Sequence, residues 1–236
     1  MEQINTETKT KHKKTLLKQL QKSFLNDKNI LEIGVDEAGR GPMFGRVYTA
    51  AVILPDDNTD FDFGLMKDSK KFHSEKKLEQ VAKYIMDKAV AYDVQFAEAD
   101  EIDSSNILKI TVQTMSKCIL NIINKSNSNN FHLLIDGNYF KPIMYINNQG
   151  NSQILSYNCI EGGDNLYCNI AAASILAKYS RAKYILDLCE QHPELDEKYG
   201  LKKNKGYGTV KHMEGIKTYG ITQWHRKSFG ICKDFC

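Results

Sequence analysis

The sequence predicts an α/β domain built on a mixed sheet. Three observations carry this. Short apolar or alternating runs at 30–35, 47–54, 90–97 and 131–135 read as strands. Helical periodicity at 75–88 and 101–124 is interleaved with them, and an alanine-rich run at 170–178 opens a further long helix. With 42% hydrophobic residues in 236, the chain can bury one sizeable core, so one main domain over 29–236 is expected behind an extension at 1–28.

Taken in order, residues 12–28 place Leu16, Leu17, Leu20, Phe24 and Leu25 on one stripe amid lysines and glutamines, which predicts an amphipathic helix. A strand at 30–35 runs into Ala38-Gly39-Arg40-Gly41-Pro42, where two glycines and a proline force a turn. Ser74 caps a helix over 75–88 with Leu78, Val81, Ala82 and Ile85 inward. A single helix over 101–124 carries Ile102, Ile107, Ile110, Met115 and Ile119 among its apolar positions. The polar tract 125–130 is a loop, the strand at 131–135 ends at Asp136-Gly137-Asn138, and a hairpin is expected near 147–151.

Charge divides unevenly along the chain. Residues 1–28 hold seven lysines against three acids, and residues 198–233 hold nine basic residues against Glu214 alone, so the middle is net acidic. Basic surfaces beside an acidic centre suit an enzyme acting on nucleic acid, although charge alone is equally satisfied by ordinary solvated faces. The six cysteines form no C-x-x-C pair and no zinc spacing, so they read as reduced thiols. No run has the length of a signal peptide core or a membrane span, and a cytoplasmic protein without membrane contact is expected.

Four carboxylates sit where strands or turns end: Asp36 and Glu37, Asp136, and Asp164 in Gly162-Gly163-Asp164. Adjacent side chains in a strand point to opposite faces, so Asp36 and Glu37 share a site only if the chain leaves strand geometry, which Gly39 and Gly41 would allow. Clustered carboxylates repel one another, and hard cations such as Mg2+ or Mn2+ turn that repulsion into ligation. Two metal ions roughly 3.5 to 4 Å apart can activate water and neutralise a phosphate. Any one of these acids alone would read as a cap or a surface charge, as Glu98, Asp100, Glu101 and Asp103 do at a solvated helix start.

Asp36-Glu37-Ala38-Gly39-Arg40-Gly41-Pro42 resembles the signature of the ribonuclease HII family. So, in order, do Asp68-Ser69-Lys70-Lys71, Glu101-Ile102-Asp103, Asn106-Ile107-Leu108, Asp136-Gly137-Asn138, Gly163-Asp164 with Ala172-Ala173-Ser174-Ile175-Leu176-Ala177-Lys178, Lys205-Gly206-Tyr207-Gly208-Thr209 and His225-Arg226-Lys227-Ser228-Phe229. The resemblance spans roughly residues 31–230. It implies a ribonuclease H-like fold with a C-terminal helical segment from about residue 185. It also implies a metal site at Asp36, Glu37, Asp136 and Asp164 holding two Mg2+ or Mn2+ ions, and hydrolysis leaving 3′-hydroxyl and 5′-phosphate ends. The expected partners are RNA–DNA hybrids and DNA duplexes containing ribonucleotides. Gly39-Arg40-Gly41 favours this family over its sister, ribonuclease HIII, and the motif order is closer to the bacterial branch, so a monomer is expected.

The same residues receive consistent physical roles. Backbone groups around Gly39 and Gly41 can approach a sugar and bond a 2′-hydroxyl, and Arg40 can grip a neighbouring phosphate. In the family the tyrosine matching Tyr207 packs on the deoxyribose after the ribonucleotide; without the resemblance a core or turn tyrosine is the better reading. Lys70, Lys71, Lys178, Lys205 and Arg226 are candidate phosphate contacts, and Asn138 and Ser174 join the nucleic-acid side by their motifs. Three positions depart from the family pattern: Gly162 where lysine is usual, Ala182 where aspartate is usual, and Arg46 where proline is usual. Another nuclease of the same fold, or a hybrid-binding protein without catalysis, stays open on sequence alone.

Overall fold

The computed structural model describes residues 19–57, 59–66, 74–147 and 149–236; Lys70, Lys71 and residues 1–18 lie outside it. Its centre is a five-stranded mixed sheet of β1 (Leu31–Ala38), β2 (Val47–Ile53), β3 (Ala91–Ala97), β4 (Phe131–Asp136) and β7 (Ser156–Ile160), in the order β3-β2-β1-β4-β7. β2 lies antiparallel to both β1 and β3, whereas β1, β4 and β7 run parallel. The short hairpin β5 (Met144–Ile146) with β6 (Ser152–Ile154) stands apart.

Helices cover both faces. On one, Ile33, Val35, Leu133 and Ile135 pack against α3 (Ile107–Lys125) through Met115, Cys118, Ile119 and Ile122. On the other, Ala50 and Val52 pack against α1 (Glu75–Lys88) and the long α4 (Cys168–Gln191). Covering both faces explains why β2 and β4 read as continuous apolar runs. α4 approaches so closely that a Cβ on Gly34 would lie 2.1 Å from the Asn169 carbonyl carbon. A third cluster, with Phe44, Ile185, Leu195, Tyr199 and Ile216, seats α5 (Pro193–Tyr199), α6 (Leu201–Asn204) and α7 (Val210–Tyr219) on the end of α4, which is the expected C-terminal helical segment.

Three local expectations need correction. Residues 19–30 are not helical. The buried Glu32 carboxylate accepts from Ser23 Oγ, Phe24 N and Leu25 N, and Gln21 exchanges backbone bonds with Leu166 and Cys168. Phe24 stacks on His132, so this segment docks as an extended strap with Leu20 and Phe24 half-buried and Leu25 exposed, while Leu16 and Leu17 lie outside the described residues. The helix expected over 101–124 is two, α2 (Ala99–Ser104) and α3, because Asn106 leaves helical geometry to cap α3 and accept from Lys109 N at 2.8 Å. β1 continues to Ala38, so Asp36 and Glu37 lie within the strand and the departure from strand geometry begins at Gly39; leaving the strand at this pair is not required, because near the end of β1 both carboxyls feel the charge of Asp136. Among the described residues no helix is long and apolar enough to cross a membrane.

Candidate active site

The parallel register places the carboxylates. Val35 pairs with Ile135 and Asp136 pairs with Ile160, so Asp36, two residues before the end of β1, lies near Asp136 at the end of β4, and the chain after β7 reaches Asp164 in a 3-10 turn over Gly163–Asn165. Asp36 alternates onto the α4 face with Gly34 and Ala38, and both Asp36 and Asp164 are buried. Gly163 lets backbone approach the cluster: a Cβ there would meet Ile170 Cδ1 at 2.5 Å and Asp136 Oδ1 at 3.3 Å.

Electrostatics show the strain of this gathering. Burial, then the charges of Glu37 and Asp136, hold the Asp36 carboxyl well above the usual carboxylate range, with Ser174 and the Glu37 amide acting in the opposite sense. Burial raises Glu37 despite Arg40, whose Nη1 lies 3.3 Å from Glu37 Oε1. Burial and Asp164 raise Asp136, although the amides of Gly163 and Asp164 favour its charge. A second cation beside the carboxylates is Lys178, whose Nζ lies 3.8 Å from Asp164 Oδ2.

Divalent cations fit this donor set. The available atoms are hard carboxylate oxygens, and Asp136 Oδ1 is buried with no hydrogen-bond partner. Ser174 is wholly buried beside Asp36, and its Oγ makes no hydrogen bond of good geometry. Among the described residues no three acidic, imidazole or thiol side chains already stand in a ligating arrangement, so the carboxylates are neighbours and not a closed cage.

Beside the carboxylates lies the turn over 39–45, held by two buried arginines. Arg226 has no solvent exposure: its Nε donates to Gly45 O at 2.8 Å, Nη1 to Arg40 O at 3.0 Å and Pro42 O at 2.9 Å, and Nη2 to Gly39 O at 2.6 Å. A side chain so enclosed does not reach a phosphate, which corrects the expectation for Arg226. Arg181 donates to the carbonyls of Arg46, Phe44 and Lys205, tying the turn to the loop before α7. Gly39, at φ +93°, is required here because a Cβ would fall 2.1 Å from Arg181 Nε.

Tyr207 is half-exposed, and its Cε1 would lie 3.6 Å from a Cβ on Gly41, so the ring borders the glycine turn. Arg40, Gly41 and Asn138 are exposed, Gly39 is buried, and Lys205 Nζ pairs with Glu75 Oε1 at 2.8 Å. The departures from the family pattern have local accounts in two cases. Gly162 adopts left-handed φ +64°, which glycine tolerates. Arg46 Nε donates to Glu98 at 2.8 Å, with its guanidinium 3.9 Å from the Phe96 ring centroid. Nothing in the structure explains Ala182. The acids near 98–103 are also more than a solvated helix start: Asp103 accepts from Lys227 N, Ser228 N and Ser228 Oγ, anchoring the C-terminal segment.

Sequence reasoning gave no role to Arg181 or His212, and none to His225 beyond its place in the motif at 225–229. Arg181 lies four residues after buried Ala177 on α4, and that helical spacing was the available signal for its burial. The two histidines, both buried, bond to each other through Nε2 atoms 3.1 Å apart, a pairing across 13 residues that no spacing rule exposes.

Comparison with known proteins agrees with this architecture. The family model described as ribonuclease HII matches residues 33–232. A ribonuclease HII from Christiangramia forsetii is 39% identical over 212 residues, covering 90% of this chain and 96% of the relative. One from Parabacteroides distasonis is 41% identical over 201 residues, covering 85% and 90%. Among solved structures, ribonuclease H2 from Pyrococcus horikoshii superposes with TM-score 0.66 at 20% identity, covering 87% of this chain and 97% of that one. A ribonuclease HIII in complex with Mn2+ gives TM-score 0.63 at 19% identity, covering 87% and 68%. The chain therefore belongs to the ribonuclease HII family, endoribonucleases that act with divalent metal ions on the RNA of RNA–DNA hybrids.

Proposed function

We propose that Asp36, Glu37, Asp136 and Asp164 hold two Mg2+ or Mn2+ ions, and that the protein cuts hybrid RNA and also incises a DNA duplex on the 5′ side of a single embedded ribonucleotide. The observation that carries the reading is Asp136 Oδ1, buried without a partner amid carboxyls that raise one another's proton affinity. Such a cluster binds protons or cations, and near neutral pH a divalent cation is the better match. The Mn2+ in the ribonuclease HIII structure supports that choice of ion.

When bound, the ions supply charge neutralisation at the phosphate and lower the proton affinity of an attacking water. The chain's own residues do the rest. Water oxygen forms a bond to phosphorus, the bond to the preceding 3′-oxygen breaks, and that oxygen ends protonated, leaving a 3′-hydroxyl and a 5′-phosphate. Lys178 offsets part of the negative charge beside Asp164. The turn over Gly39, Arg40 and Gly41 reads the 2′-hydroxyl through its backbone, Arg40 lies exposed for a phosphate, and the Tyr207 ring packs on the following deoxyribose. Lys178 and Lys205, with Lys70 and Lys71 outside the described residues, remain candidate phosphate contacts, as Asn138 and Ser174 remain candidate nucleic-acid contacts. The protein acts as a cytoplasmic monomer in this reading.

Asp36→Asn and Asp136→Asn test the ligand assignment. Each is expected to lower cleavage by roughly a hundredfold or more while hybrid affinity stays within about threefold, since a ligand and not a phosphate contact is lost. Near-normal turnover in either variant, with contaminating nuclease excluded, overturns the site.

A further inference from the structure

His212 and His225 are buried, and neither touches the carboxylates. Their hydrogen bonds determine where the protons sit. Thr222 N donates to His225 Nδ1 at 2.9 Å, so that nitrogen is an acceptor and the proton of the neutral ring is on Nε2. Burial, reinforced by His212, pushes His225 down to about 3, and burial lowers His212 as well, so both rings are neutral near pH 7. His225 Nε2–H then donates to His212 Nε2 at 3.1 Å, which places the second proton on His212 Nδ1, and that N–H donates to the Tyr207 carbonyl at 3.0 Å. The chain of bonds thus has one direction, from Thr222 to Tyr207.

The other end of this chain is joined to the glycine turn. Phe44 forms a bridge with His225, their rings meet edge to face at 4.9 Å, and Arg226 N donates to Met43 O at 2.8 Å. The next residue's side chain grips the carbonyls of Gly39, Arg40, Pro42 and Gly45. His225-Arg226 therefore holds the turn with one side chain and, through His212, the backbone of Tyr207 with the other.

We propose that the His212–His225 pair is a positioning element that fixes the Tyr207 ring against the Gly39–Gly41 turn and thereby sets the preference for an RNA–DNA junction. This rests on the reading of Tyr207 as the residue that packs on the deoxyribose. Neither histidine touches substrate; both act through the Tyr207 carbonyl, which also accepts from Thr209 N at 2.8 Å.

The measurement is the ratio of kcat/KM on a duplex with one ribonucleotide to that on an all-RNA hybrid, with thermal melting beside it. His212→Leu removes the donor to Tyr207 and is expected to lower the ratio roughly tenfold, in the range of a lost aromatic stack on a nucleotide. His212→Asn, whose amide nitrogen stands near the Nδ1 position, is expected to keep it within about twofold. In a Tyr207→Ala background, His212→Leu should change the ratio no further, because the ring it positions is gone. If His212→Leu does not fold, His225→Phe keeps the ring on Phe44, removes the donor to His212 and is expected to lower the ratio likewise. A folded His212→Leu or His225→Phe with an unchanged ratio, while Tyr207→Ala lowers it, overturns the positioning role and leaves the reading of Tyr207 intact. An unchanged ratio in Tyr207→Ala itself overturns that reading, and the positioning role with it.

Discussion

Arg226 Nη2 donates to the Gly39 carbonyl at 2.6 Å across 187 residues of sequence, from a side chain with no solvent exposure and, among the described residues, no carboxylate as a hydrogen-bond partner. Burial, with Arg181 next in weight, pushes its pKa down to about 9, so it remains a cation at neutral pH, stabilised by carbonyl dipoles.

Arg226→Met is expected to orphan those carbonyls and lower the unfolding free energy by about 3 to 5 kcal/mol in urea titration. Arg226→Lys, with a single point of donation, should recover only part. Unchanged stability in Arg226→Met, with a loss confined to salt-sensitive hybrid binding, would return this residue to the phosphate-contact role.

The carboxylates make an opposite prediction. The folded-state proton affinity of Asp36 is raised, so its contribution to stability is present below the ordinary carboxyl pKa and is lost as pH rises through the folded value. In chelator at pH 7.5, Asp36→Asn should therefore be more stable than wild type, and the gain should shrink by pH 4. Thermal melts at the two pH values decide it: a variant less stable than wild type at pH 7.5 contradicts the claim that the metal-free cluster is held against its own repulsion.

The split between what was legible and what was not follows the range of the interactions. Strands at 47–53 and 131–136 and the Ser74-capped helix are set by local pattern and capping, and the structure places them close to the sequence expectation. The sequence motifs also pointed to Asp36, Asp136 and Asp164, because strand ends and a glycine turn mark where such groups gather. Residues 19–28 misled because an amphipathic stripe satisfies a helix and a docked strap equally, and the strap is selected by distant partners: Glu32, capturing Ser23, Phe24 and Leu25, and the backbone of Leu166 and Cys168, bonded to Gln21. Arg226 misled because a cation within a basic motif suggests phosphate, whereas its carbonyl partners lie more than 180 residues away in sequence.

The strap divides the extension into two parts with separable effects. Residues 1–18 carry five lysines, so deleting them should flatten the salt dependence of hybrid binding. Deleting 1–28 also removes three donors from the buried Glu32 carboxylate and the Phe24 ring from His132, so stability should fall by roughly 2 to 4 kcal/mol. An unchanged salt slope on deleting 1–18 assigns those lysines no role on the phosphate backbone.

Central to the account is that a metal-dependent carboxylate cluster works beside a turn and a tyrosine that together recognise one ribonucleotide. The most direct measurement is incubation of a labelled DNA duplex containing a single ribonucleotide with Mg2+ or Mn2+, and mapping of both ends of the cut. The account predicts one incision on the 5′ side of the ribonucleotide, with a 3′-hydroxyl upstream, a 5′-phosphate on the ribonucleotide, and no cleavage in chelator or of the all-DNA duplex. Cleavage of the all-DNA duplex at a similar rate, or an incision that persists in chelator, would contradict it.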